Sequence, residues 1–133
     1  FTAQQKLRTH LKNAMSEAGV SITPAQSAIL FLLKRKDGQT MSELTQELSI
    51  DNSTLTGLVD RLERSGFVRR NASTADRRLS HVYITGSGHD EIERAKAVIR
   101  RVNDRIREDF TEGEVESFKK ILKSFFVRFG ASS

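Results

Sequence analysis

The chain contains no cysteine and no tryptophan, and it has a single proline, a single tyrosine and two methionines. Without cysteine there is no disulfide framework, no thiol nucleophile and no thiolate to bind a metal. That usage fits a reducing compartment. No run approaches the roughly 18 consecutive apolar residues of a membrane span, and no secretory pattern opens the chain. A cytoplasmic protein with no membrane partner is the expectation. The first residue is Phe1, so a short N-terminal piece is expected to precede it. His10, His81 and His89 are scattered along the chain, so no metal site is expected. His81 alternates with Tyr83 and reads as a structural strand residue. There is no phosphate loop and no nucleophile paired with a base, so neither an enzyme nor a cofactor is expected.

Basic charge is plentiful instead. The net charge is +5 with a pI near 9.9, and charged residues make up 29% of the 133 residues. A basic balance favours an acidic partner such as nucleic acid. Its placement is more telling. Between Asp60 and His81 six arginines (61, 64, 69, 70, 77 and 78) face three acids, Asp60, Glu63 and Asp76. The segment after Gly88 is nearly balanced.

In chain order, Leu7, Leu11, Met15 and Ala18 share one face of a helix over residues 1–18, ending near Gly19. Thr23-Pro24-Ala25-Gln26 is a capping box with proline at the first helical position. An apolar stripe of Ala25, Ala28, Ile29, Leu32 and Leu33 follows, and Gly38 stops that helix. Thr40 and Glu43 form a second box, opening a two-turn helix with Met41, Leu44 and Leu48. Residues 49–52 are the turn, and Asp51 or Asn52 caps the next helix, whose stripe is Leu55, Leu58, Val59 and Leu62. Two short helices about four residues apart make a helix-turn-helix. Gly66 ends the second. Residues 67–71 and 79–85 pair as a hairpin around a 72–78 tip. Gly86 and Gly88 punctuate the chain. A long helix then carries Ile92, Ala95, Ile99, Val102, Ile106 and Phe110. Thr111 and Glu114 box the last helix, with Val115, Phe118, Leu122, Phe125 and Phe129. The class is mainly α with a small β-hairpin wing (α+β): one domain over 1–133, with a winged helix-turn-helix lobe at 20–88.

The terminal segments, 1–18 and 89–133, carry more apolar surface than a small lobe can cover. Either their helices pack on each other within one chain or they build a two-fold interface. Five of the eight phenylalanines lie from Phe110 onward, which favours a homodimer through Leu7, Leu11, Val115, Phe118, Leu122, Phe125 and Phe129.

A wheel of the second helix sets Ser53, Gly57, Asp60 and Arg64 opposite its buried stripe, with Thr54, Thr56 and Arg61 on the flanks. Small and hydroxylated first, charged later, this face suits a helix entering the major groove by its N-terminal end. Glycine inside a helix costs about 1 kcal/mol relative to alanine, and close approach of DNA at Gly57 would account for that. Asp60, one turn before Arg64, is expected to orient it. At the tip, Asp76 can brace Arg77 or Arg78 for insertion into the narrow minor groove. A winged-helix module that binds protein instead of DNA is the competing reading.

The run Leu-Val-Asp-Arg-Leu-Glu-Arg-Ser-Gly-Phe-Val at 58–68, and Asp76-Arg77-Arg78 ahead of Leu-Ser-His-Val-Tyr-Ile-Thr-Gly, resemble the MarR family of bacterial and archaeal regulators. The resemblance covers essentially the whole chain. It implies a homodimer with a winged helix-turn-helix in each lobe, N- and C-terminal dimerisation helices, and repression at a palindromic double-stranded operator. It makes Arg78 the minor-groove arginine and Arg77 a phosphate contact. It also implies release by a small-molecule, often phenolic, effector, whose pocket the sequence does not assign to residues. Lacking cysteine, the chain falls outside the thiol-sensing branch.

Overall fold

A computed structural model of the chain describes residues 2–72 and 79–129. Within them run α1 (Ala3–Glu17), α2 (Pro24–Arg35), β1 (Gln39–Thr40), α3 (Met41–Leu48), α4 (Asn52–Arg64), β2 (Val68–Ala72), β3 (Ser80–Ile84), α5 (Gly86–Arg107) and α6 (Glu112–Phe129). The helix starts follow one local rule. Thr2, Thr23, Thr40 and Thr111 each accept a backbone hydrogen from the residue three positions on, and that residue's side chain accepts one back. These boxes satisfy amides that a helix end leaves orphaned. The box at Thr2 and Gln5 lies ahead of the apolar periodicity, which gives no sign of it. At Glu43 and Glu114 the returned bond from the threonine amide holds the carboxyl below its ordinary value.

Two compact units result, residues 1–99 and 100–133. In the first, Met15, Ile29, Leu30, Leu33, Leu44, Leu55, Val59, Leu62, Val82, Ile92 and Ala95 are fully buried in one core. Its shared core therefore reaches beyond 20–88, taking in the end of α1 and the first part of α5. The α2 stripe is rotated from the expected one: Leu30 is buried and Ala25 exposed. Residues 29–33 are apolar all round, so periodicity there leaves the rotation open. Gln26 and Ser27 are buried on that face, their polar atoms taken up by Thr23 and by the Pro24 carbonyl.

The sheet has the order β1-β3-β2 and is antiparallel throughout. The hairpin pairs Val68 with Ile84 and Arg70 with Val82. The third strand, β1, goes beyond the expected hairpin; it is two residues long, and only its pairing with His81 and Val82 makes it a strand. Buried Gln39 anchors it, donating to the Leu32 and Lys36 carbonyls at the end of α2 at 3.0 and 2.8 Å.

Gly86 and Gly88 do not interrupt the chain before α5; they form its first turn. Thr85 acts as the cap, its hydroxyl accepting from the Gly88 amide at 3.1 Å and donating to the Gly66 carbonyl at 2.6 Å. A Cβ at Gly88 would overlap the Phe67 carbonyl oxygen and press on Ile84. Glycine is thus required here by contact with neighbouring backbone, not by a turn. The buried series on α5 is Ile92, Ala95, Val98 and Val102, while Ile106 and Phe110 are exposed.

One carboxylate belongs to this core. Glu91 is 2% exposed and accepts from the Ser21 amide at 2.9 Å, from the Ser21 hydroxyl, and from Arg94 Nε at 3.0 Å. Burial pushes its pKa up, but the Ser21 bonds and the Arg94 charge together outweigh burial and leave it below the ordinary 4.5. A depressed folded-state value stabilises the fold above the unfolded pKa, and that stabilisation is lost as pH falls through the folded value. Glu91→Gln is expected to destabilise the fold by about 2 kcal/mol near neutrality. The gap between variant and parent should close as pH drops below 4.5, in denaturant titrations across pH. Gly88→Ala is expected to cost about 1–3 kcal/mol through overpacking, measured by the same titrations at fixed pH.

Candidate nucleic-acid interface

α3 ends on Ser49, which takes the left-handed conformation (φ 52°), and residues 49–51 turn the chain into α4. Asp51 caps α4. Its Oδ1 accepts from the Thr54 amide at 2.7 Å and from the Ser53 hydroxyl at 2.8 Å. The Thr54 amide, with the Ser53 hydroxyl next, holds the Asp51 carboxyl below its ordinary value and so ionised. Leu55, Val59 and Leu62 are fully buried, Leu58 half-buried, and α4 packs on α2, α3 and β2. The helix cannot roll without exposing these side chains, whose burial is worth roughly 1.5–3 kcal/mol each.

That rotation turns the sequence-predicted site residues outward. Ser53, Thr54, Thr56, Arg61 and Arg64 are exposed, and Gly57 is half-buried. The Thr56 hydroxyl donates to the Asn52 carbonyl at 2.8 Å, and its oxygen can still accept a further hydrogen bond. A Cβ at Gly57 would meet nothing within 4 Å, so nothing in the chain's own packing demands glycine there.

The basic charge is organised differently from the expectation. Asp60 does not orient Arg64. It pairs with Arg70 on β2, which also reaches Glu63 Oε1 at 3.3 Å. The reason is tertiary, because the hairpin lays β2 along α4 and brings Arg70 closer than the next turn of the helix. Arg69, on the opposite face of the strand, stacks over Tyr83 at 4.6 Å from the ring centroid, a favourable cation–π placement. Tyr83 in turn fills the space beside Gly38, where a Cβ would come within 2.8 Å of its ring. His81 Nδ1 lies 3.0 Å from the Gly38 carbonyl oxygen, the structural role expected of it. Among the described residues, Arg61 and Arg64 have no acidic partner. Asp76, Arg77 and Arg78 lie outside the described residues. The roles of Glu63 and Arg70 escape a reading by helical spacing; their signal is that Arg69 and Arg70 must point to opposite faces of one strand.

Other sites offer less. A cleft of about 280 Å³ beside α2 and α3 is lined by Arg35, Lys36, Gln39, Glu43, Gln46 and Glu47, but its cations already pair with Glu47 and Glu43. No cluster of three or more potential metal ligands occurs among the described residues. None of the described helices is long and apolar enough to cross a membrane.

A short helix, a tight turn, a second helix with a hydroxylated outward end and a basic antiparallel hairpin together define a winged helix-turn-helix, a nucleic-acid-binding class. The MarR family model matches residues 22–80. The repressor MdtR of Bacillus subtilis is 30% identical over 111 residues, covering 84% of this chain and 70% of its own. The chain belongs to the MarR family of transcriptional regulators, which are not enzymes. Two solved structures are similar across it. The transcriptional repressor CouR bound to a 23-mer DNA duplex is 26% identical with a TM-score of 0.84, over 92% of this chain and 86% of that one. A MarR mutant from E. coli complexed with operator DNA is 28% identical with a TM-score of 0.81, over 91% and 86%.

Because Gly57 has open space around it, Gly57→Ala is expected to stabilise the folded protein by about 1 kcal/mol, read as a rise in the thermal midpoint.

Proposed function

We propose that the protein is a homodimeric repressor that binds a palindromic operator and is released from it by a small-molecule effector. One observation carries the DNA-binding part: the outward face of α4 is hydroxylated at its start and holds two arginines, Arg61 and Arg64, that have no acidic partner among the described residues. Hydroxyls at Ser53, Thr54 and Thr56 can meet base edges, Gly57 allows close approach, and Arg61 and Arg64 take phosphates where the helix leaves the groove. Asp76, Arg77 and Arg78 form the wing contact, with Arg78 in the minor groove. The DNA complexes of CouR and MarR support this use of the fold, and MdtR and YetL of Bacillus subtilis are repressors.

Dimerisation is supported by apolar exposure. On α6, Phe118, Leu122, Phe125 and Phe129 are 61, 40, 50 and 71% exposed in the single chain, and Val115 is half-buried. On α1, Leu7 is exposed and Leu11 half-buried. A second copy would cover these residues, and a palindromic operator calls for two α4 helices at a spacing of about one helical turn, roughly 34–36 Å. An effector would act by favouring a spacing that does not fit. The phenolic class rests on the family resemblance alone, and the protein would act in the cytoplasm, where its DNA is.

Fluorescence anisotropy against the DNA upstream of its own reading frame tests the proposal. Arg61→Ala/Arg64→Ala is expected to weaken binding and to make log K less steep in log salt, by about 0.9 for each phosphate the two side chains no longer neutralise. An unchanged slope would remove both arginines from the interface.

A further inference from the structure

Asp60 sits on the outward side of α4 and Glu63 on its flank, two carboxylates on a helix that approaches a polyanion. Left alone they would repel phosphates. Neither is left alone. Arg70 Nη2 pairs with Asp60 and lies 3.3 Å from Glu63 Oε1, and Arg70 Nε is 3.4 Å from the same oxygen. The Arg70 amide also donates to Glu63 Oε2 at 3.2 Å, so the main chain of β2 is held as well as the side chain. The Arg70 side chain is only 26% exposed, less than Asp60 at 44% or Glu63 at 41%. A guanidinium is planar with its donors in a fixed fork, so engaging two carboxylates from adjacent turns fixes its direction as well as balancing charge. Arg70 pairs with Val82 in the hairpin ladder, and the ladder carries that constraint into β3.

We infer that Asp60, Glu63 and Arg70 form a clamp that sets the angle of the β2–β3 hairpin on α4, and that Arg70 is a positioning residue for DNA binding and not a phosphate contact. This rests on reading α4 as the recognition helix and the hairpin as the wing. Two acids beside DNA then assist binding, the reverse of their bare electrostatic effect. The charge available to phosphates is correspondingly smaller than six arginines suggest.

The test is operator binding by the full chain carrying Asp60→Asn/Glu63→Gln, by anisotropy across salt concentrations, with hydroxyl-radical footprinting and thermal melting of the same samples. Removing two negative charges should ordinarily tighten binding to DNA. The clamp predicts an affinity about tenfold weaker, the size of one charge-assisted contact. Protection is expected to disappear at the edges of the site and to persist at its major-groove centre, while the melting midpoint stays within a few degrees of the parent. Arg70→Lys, which keeps the charge without the fork, is expected to lose affinity in the same way. Unchanged or tighter binding by the double variant with an intact footprint would overturn the clamp. So would Arg70→Lys binding like the parent, since Arg70 would then act through charge alone. If the unmodified chain protects no DNA, the recognition-helix reading fails and the clamp with it; a site protected regardless of these substitutions overturns the clamp only.

Discussion

The burial of one helix face sets almost everything else in the lobe. Leu55, Val59 and Leu62 have no exposed surface, and the rotation they impose on α4 decides which residues meet a partner. A roll of one position would trade Leu55 for a threonine and Leu62 for Arg61 or Glu63, at a cost of several kcal/mol summed over the stripe. The outward row of Ser53, Gly57, Asp60 and Arg64 is therefore a consequence of packing as much as of local sequence. Asp51 finishes the arrangement by capping the helix start, where it accepts from the Thr54 amide.

The same packing redistributes charge. Counted along the chain, the lobe looks uniformly basic. In three dimensions Arg70 is occupied by Asp60 and Glu63, and Arg69 lies over Tyr83. Each of these contacts joins the hairpin to a neighbour: Arg70 to α4, and Arg69 through Tyr83 to Gly38 beside β1. A hairpin of two five-residue strands is marginal alone in water, so these attachments, with β1 pairing along β3, are what give it a fixed direction. Cations that brace the sheet are thereby distinguished from Arg61 and Arg64, which have no acidic partner among the described residues.

Glycine shows how one residue type serves opposite needs. Gly88 is enclosed, and the Phe67 carbonyl leaves no room for a methyl group. Gly57 is in the open, where helix propensity alone would favour alanine. The first is a requirement of folding. The second is not called for by any contact within 4 Å in the chain's own packing.

Helix starts and the buried stripe of α4 were determined by the sequence itself, because caps and periodicity act within a few residues. Thr23, Thr40 and Thr111 with their partners three positions on, and the spacing of Leu55, Val59 and Leu62, carry that information locally. Features that depend on distant segments were not readable in this way. The burial of Leu30 in place of Ala25 was undecided because that stretch of α2 is apolar on every side. The strand at Gln39–Thr40 exists only because β3 runs beside it, and Gly88 opens α5 only because Thr85 caps it against the hairpin's end. The partner of Asp60 was settled by tertiary structure for the same reason. Arg64 is its neighbour by helical spacing, but the hairpin brings Arg70 to it, and a charged side chain bonds to whichever opposite charge the fold sets closest.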